Sequence, residues 1–123
     1  MRISDNLMQT KLYQAPKKET TSSMFRIQTI IDGNTIRIVP IWNWNGRQGD
    51  SVTIKGYGAN PSLAPDMKAF VNNVLRQRLT SLLPTGTVIQ LKNPTGIDAH
   101  GRLICDVLLN GVSVSNYFPE YKL

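Results

Sequence analysis

Cysteine and histidine are nearly absent from this sequence of 123 residues, which contains one of each, Cys105 and His100. A single cysteine excludes an internal disulfide, and one cysteine with one histidine excludes a zinc site built from these two residue types. Cys105 lies in RLICDVLL, a segment typical of a strand, so we expect a buried thiol rather than a nucleophile. His100 has no second histidine or cysteine near it in a turn-rich segment, and we expect it to be exposed.

Long apolar runs are also missing, and no run reaches the length of a transmembrane helix. The first residues, MRISDNLMQTKL, lack the sustained apolar core and the small-residue cleavage site of a secretory signal. These two absences predict a cytoplasmic protein that does not contact a membrane.

Acidic residues are few, with 8 Asp and Glu against 14 Lys and Arg, so the net charge is +6. Residues 1–23 contain four of the basic and two of the acidic residues, which leaves 10 basic and 6 acidic residues, a net of +4, in the rest. A positive excess is typical of proteins that bind nucleic acid or another anionic surface, and it also keeps small proteins soluble. The charge alone does not separate these two explanations.

The chain divides at residue 24. Residues 1–23 include QAPKKETTSS and only scattered apolar groups, which predicts a flexible N-terminal tail. Residues 24–123 are long enough for one domain with one modest core. We therefore predict a tail followed by a single folded domain.

Alternating apolar segments predict five strands in that domain: MFRIQTII, TIRIVPIWNW, SVTIKGYG, TVIQLK and RLICDVLL. Between them, DGN, NGRQGD and NPTGIDAHG are typical of turns or loops, and the NG pair at 110–111 predicts a hairpin before a short strand, VSV. One helix is predicted over 66–83, with Pro65 suited to its first turn. The apolar stripe of this helix consists of Met67, Phe70, Val71, Val74, Leu75, Leu79 and Leu82. Three strands, a helix and two strands predict a mainly β fold, a small barrel with one main helix.

Two short motifs and their order around the helix resemble a known family. The first is Asp32-Gly33-Asn34-Thr35 within IIDGNTI, and the second is Asp98-Ala99-His100-Gly101-Arg102. With VTIKGYGANP and TVIQL between them, they resemble the staphylococcal nuclease-like (thermonuclease) family over roughly residues 24–118. The resemblance implies an OB-fold barrel of five strands with a helix packed on it. It also implies calcium-dependent cleavage of DNA or RNA phosphodiesters.

The residues that this family uses for catalysis are largely replaced here. By the resemblance, the metal-binding acid at the tip of the turn becomes Asn34, whose oxygen carries no charge. The second acid position falls on Gly58 or Ala59, and the glutamate position falls on Ser62. The arginine position on the third strand becomes Thr53. This pattern indicates a turn kept for its shape after its metal-binding role was lost.

Arg102 occupies the family's second phosphate-binding arginine position, with Asp98 close by in the sequence. Asp32 is interpreted as a turn former, and Asp32 and Asn34 are the only weak metal candidates. No two acids have a spacing that demands a shared metal. We therefore predict no cofactor, or calcium if the ancestral site survives, and assign no catalytic residue beyond the family-equivalent Arg102, Asn34 and Ser62.

Five residues are candidates for nucleic-acid binding. The rings of Trp44, near a hairpin tip, and Tyr57, between two glycines, could stack on unpaired bases or could pack structurally. Arg37, Lys55 and Arg102 could contact phosphates. The alternative is a solvated strand face for Arg37 and Lys55 and a local ion pair for Arg102.

The leading functional hypothesis is a catalytically degenerate nuclease-like domain that binds single-stranded DNA or RNA or acts as an interaction module. One alternative is a weak nuclease that depends on a divalent metal, although the lost acids argue against an enzyme. Another is a protein-binding scaffold, which could be a homo-oligomer. The expected partners are accordingly nucleic acid or protein.

Overall fold

A closed barrel of five strands with one helix packed against it forms the fold of the described residues. The structure is a computed structural model that describes residues 24–123, so the predicted tail at 1–23 lies outside it. The helix, α1, spans Pro65–Leu82. The strands are β1 (Met24–Asp32), β2 (Thr35–Trp44), β3 (Arg47–Ile54), β4 (Val88–Ile97), β5 (Leu103–Leu109) and the short β6 (Val112–Ser113).

The sheet closes on itself through one parallel pair. The strand order is β3-β2-β1-β4-β5-β6, and β3 also pairs with β5 in parallel, with Val52 beside Leu103 and Ile54 beside Cys105. All other pairs are antiparallel. Closure removes the exposed edges that an open sheet of this size would present. The mainly β barrel with one main helix that the element order predicts is confirmed, and its architecture matches the OB-fold type that the resemblance implies.

Period-two alternation in the strands places the core inside the barrel. On β1, Phe25 and Ile27 are buried, and on β2 the buried Ile36 and Ile38 flank an exposed Arg37. Successive side chains of a strand point to opposite faces, so one face of each strand fills the barrel. The largest buried side chains are Trp42, Tyr57, Phe25, Ile27, Ile36, Ile38, Ile54, Leu75, Leu79, Leu83, Ile89 and Leu91.

Two connections differ from the sequence prediction because strand pairing continues into turn-like sequence. The β2–β3 turn consists only of Asn45 and Gly46, both with positive φ (49° and 76°), so β3 starts within the predicted turn NGRQGD. Strand β4 continues through NPTGI to Ile97, and the register shift between Lys92 and Gly96 marks an irregularity in its pairing with β5. A bulge of this kind accommodates a proline within a paired strand.

Helix α1 begins at the predicted Pro65, but its predicted apolar stripe is only partly buried. Leu75 and Leu79 are fully buried, whereas Met67 and Phe70 are 50% and 64% exposed. Val71 and Leu82 also pack against the core, whereas Met67, Phe70 and Val74 are not part of that contact. The helix therefore contributes its C-terminal half to the core. Within residues 24–123, the structure offers no helix with the length and apolarity required to span a bilayer.

The C-terminal segment closes over the loop that follows β3. It contains two short 3₁₀ turns, at Val114–Asn116 and Pro119–Tyr121. The N–H of Gly58 then donates to the carbonyl of Tyr121 (3.1 Å), and the N–H of Leu123 donates to the carbonyl of Gly56 (2.9 Å). These bonds fix the loop that faces the β1–β2 turn.

Candidate functional site

The β1–β2 turn is anchored on the middle of α1. The carboxylate of Asp32 accepts a hydrogen bond from the N–H of Asn34 (3.2 Å), which is the turn-forming role predicted for it. The N–H of Gly33 donates to the side-chain oxygen of Asn72 (2.8 Å). A Cβ on Gly33 would lie 2.9 Å from the backbone oxygen of Asn72, so the absence of a side chain permits this close approach.

The amide of Asn34 is fully oriented by its neighbours. Its Nδ2 donates to the carbonyl of Tyr57 (3.2 Å), and its Oδ1 accepts from the hydroxyl of Thr35 (3.1 Å). Gly58 has a φ of 140°, and a Cβ there would stand 3.1 Å from the Asn34 Nδ2. Because a carbonyl oxygen can only accept, this position requires a donor, which a carboxylate lacks.

The side chains around this turn do not offer the oxygen ligands that calcium requires. Ala59 and Gly58 carry no side-chain oxygen, and the hydroxyl and N–H of Ser62 both donate to the side-chain oxygen of Asn60 (2.8 and 2.9 Å). Calcium takes six to eight oxygen ligands, carboxylates prominent among them. Within residues 24–123, no group of three or more His, Cys, Asp or Glu side chains could hold a metal ion.

Arg102 and Asp98 form the centre of a polar network at the mouth of the barrel. Asp98 accepts from the N–H groups of His100 (2.9 Å) and Arg102 (3.0 Å), from the Nε of Arg102 (2.8 Å) and from the hydroxyl of Thr53 (3.2 Å). The Nη1 of Arg102 donates to the hydroxyl of Thr35 (3.3 Å). The network therefore joins the start of β5 to β3 and to the β1–β2 turn. The Arg102 side chain remains 25% exposed, so a ligand can still reach it.

The acidity of Asp98 follows from this network. Burial alone would raise the pKa of the Asp98 carboxyl, but the N–H groups of Arg102 and His100 and the Arg102 guanidinium outweigh it and lower the pKa below its ordinary value. A carboxyl with a lowered folded-state pKa stabilises the fold above its unfolded pKa, and that stabilisation is lost as the pH falls through the folded value.

We predict that Asp98→Asn lowers the free energy of unfolding at pH 7 by about 2 kcal/mol, because it removes charge-assisted hydrogen bonds. The difference from the unmodified protein should shrink as the pH falls below about 4, where Asp98 is protonated first in the unfolded state. It should disappear once the pH has also passed the lower pKa of Asp98 in the folded state. Urea unfolding of both proteins between pH 2.5 and pH 7 measures this difference in the free energy of unfolding. Asp50→Asn is the control, because Asp50 is exposed and lies 3.6 Å from Arg37. An equal effect of both substitutions would contradict the role assigned to Asp98.

Arg37 and Lys55, two candidates for phosphate contact, lie in surface ion pairs. The Nε of Arg37 is 3.6 Å from Asp50, and the Nζ of Lys55 donates to the carbonyl of Asn93 (3.1 Å) and lies 3.9 Å from Asp106. Partly exposed pairs of this kind contribute little free energy, so neither cation is locked in place. Their contact with phosphate stays a prediction.

The two aromatic candidates differ in burial. Trp44 is half-buried against the core and pairs in register with Arg47 at the β2–β3 hairpin, so part of its ring is open to solvent. Tyr57 is 1% exposed and belongs to the core. This burial corrects the expectation that Tyr57 stacks on a nucleotide, because no face of its ring is accessible.

The hydroxyl of Tyr57 is buried without a hydrogen-bond partner in residues 24–123. Burial raises the pKa of the Tyr57 phenol to about 12, and the negative charge of Glu120 acts in the same direction, against the opposing charge of Arg78. A buried donor without a partner loses its hydration and gains nothing in return.

We predict that Tyr57→Phe raises the free energy of unfolding by about 1 kcal/mol, because it removes the unpaired hydroxyl and keeps the ring. The affinity for nucleic acid should not change. Urea unfolding at pH 7 and a binding titration with the same preparation measure both quantities. A weakened affinity in a well-folded variant would restore the stacking role, and a loss of stability would show that the hydroxyl has a partner.

Cys105 and His100 lie where the sequence predicts. The thiol of Cys105 is buried, and burial raises its pKa to about 12, with the charge of Asp106 adding to the effect. Such a thiol is protonated and inert at neutral pH. His100 is exposed in the loop between β4 and β5.

Sequence reasoning missed two residues on α1 that face the β1–β2 turn. A cavity of about 300 Å³ is lined by Asn34, Ala59, Lys68, Ala69 and Asn72. Lys68 and Asn72 are four residues apart, a spacing that places them on the same helix face, so the sequence contained a usable signal. Only the rotation of the helix relative to the turn shows that this face lines a cavity beside Asn34.

Comparison with known proteins adds no family assignment. No protein-family model matches this chain, and a search of curated proteins finds no match.

Proposed function

We propose that this chain carries a staphylococcal nuclease-like domain that binds single-stranded DNA or RNA through metal-independent phosphate contacts and does not cleave it. The OB-fold type of barrel supports this proposal. The two motifs that carry the family resemblance also lie close together, linked by the hydrogen bond from Arg102 to Thr35.

The distribution of charge is the observation that carries the proposal. The described residues contain six acids, and four of them pair with Arg37, Lys55, Arg78 and Arg102. The other two acids, Asp32 and Asp66, accept hydrogen bonds from backbone N–H groups. Six cations within residues 24–123 therefore have no carboxylate partner: Arg26, Arg47, Lys68, Arg76, Lys92 and Lys122. An excess of uncompensated positive charge favours a polyanionic ligand.

The replacement of the family's acids supports binding without cleavage. The Nδ2 of Asn34 donates a hydrogen bond to the carbonyl of Tyr57, and the hydroxyl of Ser62 donates one to the side-chain oxygen of Asn60. Both side chains are uncharged, so neither position offers a charged ligand to a metal. The arginine and lysine side chains can contact phosphates without a metal. The half-exposed ring of Trp44 offers a stacking surface for an unpaired base, as is common in OB-fold proteins.

Fluorescence anisotropy with labelled single-stranded DNA and RNA tests this proposal. If three of the six unpaired cations contact phosphates, the affinity should fall about 20-fold between 50 and 200 mM salt, from a slope of about −0.7 per contact. A duplex of the same sequence serves as the comparison. The absence of salt-sensitive binding at low ionic strength would overturn the proposal.

The weak-nuclease alternative is tested with the same oligonucleotides on a denaturing gel in the presence of calcium or magnesium. We expect the strands to remain intact. Cleavage that Arg102→Ala abolishes would show that a metal-dependent activity survives. Cleavage that the substitution leaves unchanged would identify a contaminating enzyme.

Protein binding is the second candidate function, favoured by the exposed apolar start of α1. Met67 and Phe70 are 50% and 64% exposed and lie three residues apart, so they are neighbours on the helix surface. Apolar side chains grouped in this way often mark an interaction surface. Light scattering over a range of concentrations tests a homo-oligomeric scaffold. Self-association that Phe70→Ser removes would support it, and a monomer at every concentration would oppose it.

A further inference from the structure

We infer that the cavity between α1 and the β1–β2 turn is a phosphate-binding subsite, with Lys68 supplying the positive charge. The inference rests on the proposed function, because the ligand is a phosphate group of a bound nucleic-acid strand. The cavity lies beside Asn34, and Lys68 and Asn72 of α1 also line it.

The orientation of Asn72 directs a donor toward the cavity. The N–H of Gly33 can only donate, so the atom of Asn72 that receives it at 2.8 Å must be the amide oxygen. The Nδ2 group of Asn72 is thereby left with two N–H donors and no hydrogen-bond partner within residues 24–123. Asn72 is half-buried and lines the cavity, so these donors are available to a ligand.

The orientation of Asn34 follows from the same reasoning. The carbonyl of Tyr57 can only accept, so the atom of Asn34 at 3.2 Å must be the amide nitrogen. The amide oxygen is occupied by the hydroxyl of Thr35. One N–H of Asn34 remains unused, and no side-chain carboxylate belongs to the cavity lining. The lining therefore presents unused N–H donors and no side-chain carboxylate.

Lys68 adds a full positive charge to these donors. Its side chain is half-buried, and no carboxylate in the described part of the chain lies within ion-pair distance of it. Hydrogen bonds between an ammonium group and a phosphate oxygen are stronger than those between neutral groups. A cluster of donors around one unpaired cation complements an anion and repels a calcium ion.

The size and position of the cavity fit one phosphate with part of its nucleotide. About 300 Å³ is at the lower limit of small-molecule sites. The hydroxyl of Thr35 joins this cavity to the partly exposed guanidinium of Arg102, because it donates to Asn34 and accepts from Arg102. A strand whose phosphate enters the cavity would place its neighbouring groups near Arg102.

The test compares Lys68→Gln with Lys92→Gln, which removes the same charge from an exposed position on β4. We expect Lys68→Gln to lower the affinity for single-stranded oligonucleotide about tenfold at low salt and to reduce the salt slope by about 0.7, the loss of one phosphate contact. Lys92→Gln should lower the affinity only about twofold, through long-range electrostatics alone. Equal effects of the two substitutions would overturn the subsite and leave nucleic-acid binding intact.

A second measurement separates the subsite from the proposed function. Thymidine 5′-monophosphate is titrated into isotopically labelled protein, and the NMR signals of the Asn72 side-chain amide and the Gly33 N–H are followed. We expect both signals to shift in the unmodified protein and in Lys92→Gln, and to remain fixed in Lys68→Gln. If oligonucleotides fail to bind but these shifts occur, the proposed function fails and the subsite is kept. If neither signal moves in the unmodified protein, the subsite is wrong.

Discussion

Gly33→Ala is expected to lower the free energy of unfolding by about 3 kcal/mol, from overpacking and the loss of one hydrogen bond. A Cβ at this position would overlap the side-chain oxygen of Asn72 and would lie 2.9 Å from its backbone oxygen and 3.1 Å from the Cβ of Leu75. The backbone oxygen belongs to the middle of α1 and Leu75 is fully buried, so neither can move aside cheaply. Either the turn leaves the helix, or the helix shifts against the barrel.

Gly96→Ala is the matched control for this prediction. Gly96 lies in β4, its φ is not in the left-handed region, and a Cβ there would meet no atom within 4 Å. We expect this change to alter the free energy of unfolding by less than about 0.5 kcal/mol. Urea unfolding followed by tryptophan fluorescence measures both variants. If Gly33→Ala is as mild as Gly96→Ala, the turn is not packed against α1 as the structure describes.

The predictions from local sequence were accurate where local chemistry decides the structure. The helix begins at Pro65 because a proline needs no hydrogen-bond partner for its nitrogen in the first turn. The hairpin at Asn110 and Gly111 forms because both residues adopt positive φ (54° and 80°). These features depend on a few neighbouring residues, so they can be inferred without knowledge of the tertiary contacts.

The extension of β4 could not be predicted in the same way. Asn93, Pro94 and Gly96 are typical of loops, but β5 offers a partner strand, and pairing resumes at Gly96 opposite Ile104. Strand preference depends strongly on tertiary context, and here the barrel overrides the local signal. The loop that remains contains Asp98 and Arg102, where the backbone turns at the mouth of the barrel.

The candidate site was located by its motifs, but its surroundings could not be inferred. The local sequence left open whether Tyr57, in the predicted strand SVTIKGYG, stacks on a base or packs structurally. The C-terminal segment pairs with this region through Lys122, and the Tyr57 ring is buried. The approach of Lys68 and Asn72 to the β1–β2 turn depends on the helix rotation. Both features arise from contacts between residues far apart in the sequence.

The amide at Asn34 is required by the present fold, and its replacement by aspartate should not create a metal site. We predict that Asn34→Asp lowers the free energy of unfolding by about 2–3 kcal/mol. The substitution removes the donor at 3.2 Å from the Tyr57 carbonyl and sets a charged oxygen against that carbonyl. Calcium should give no recovery, because Lys68 lies on the same cavity and Gly58 and Ala59 supply no second carboxylate.

Thermal unfolding with and without calcium measures this prediction, and Asn45→Asp is the control. Asn45 precedes Gly46 in an exposed hairpin turn, where aspartate is accepted nearly as well as asparagine, so the same charge is added at little cost. We expect only Asn34→Asp to have a lower midpoint of thermal unfolding than the unmodified protein. Calcium should leave the midpoints of both variants unchanged. A midpoint of Asn34→Asp that rises with calcium would show that the turn can still bind a divalent ion. In that case the donor-lined cavity would be a metal site lacking one ligand, and the phosphate subsite would have to be abandoned.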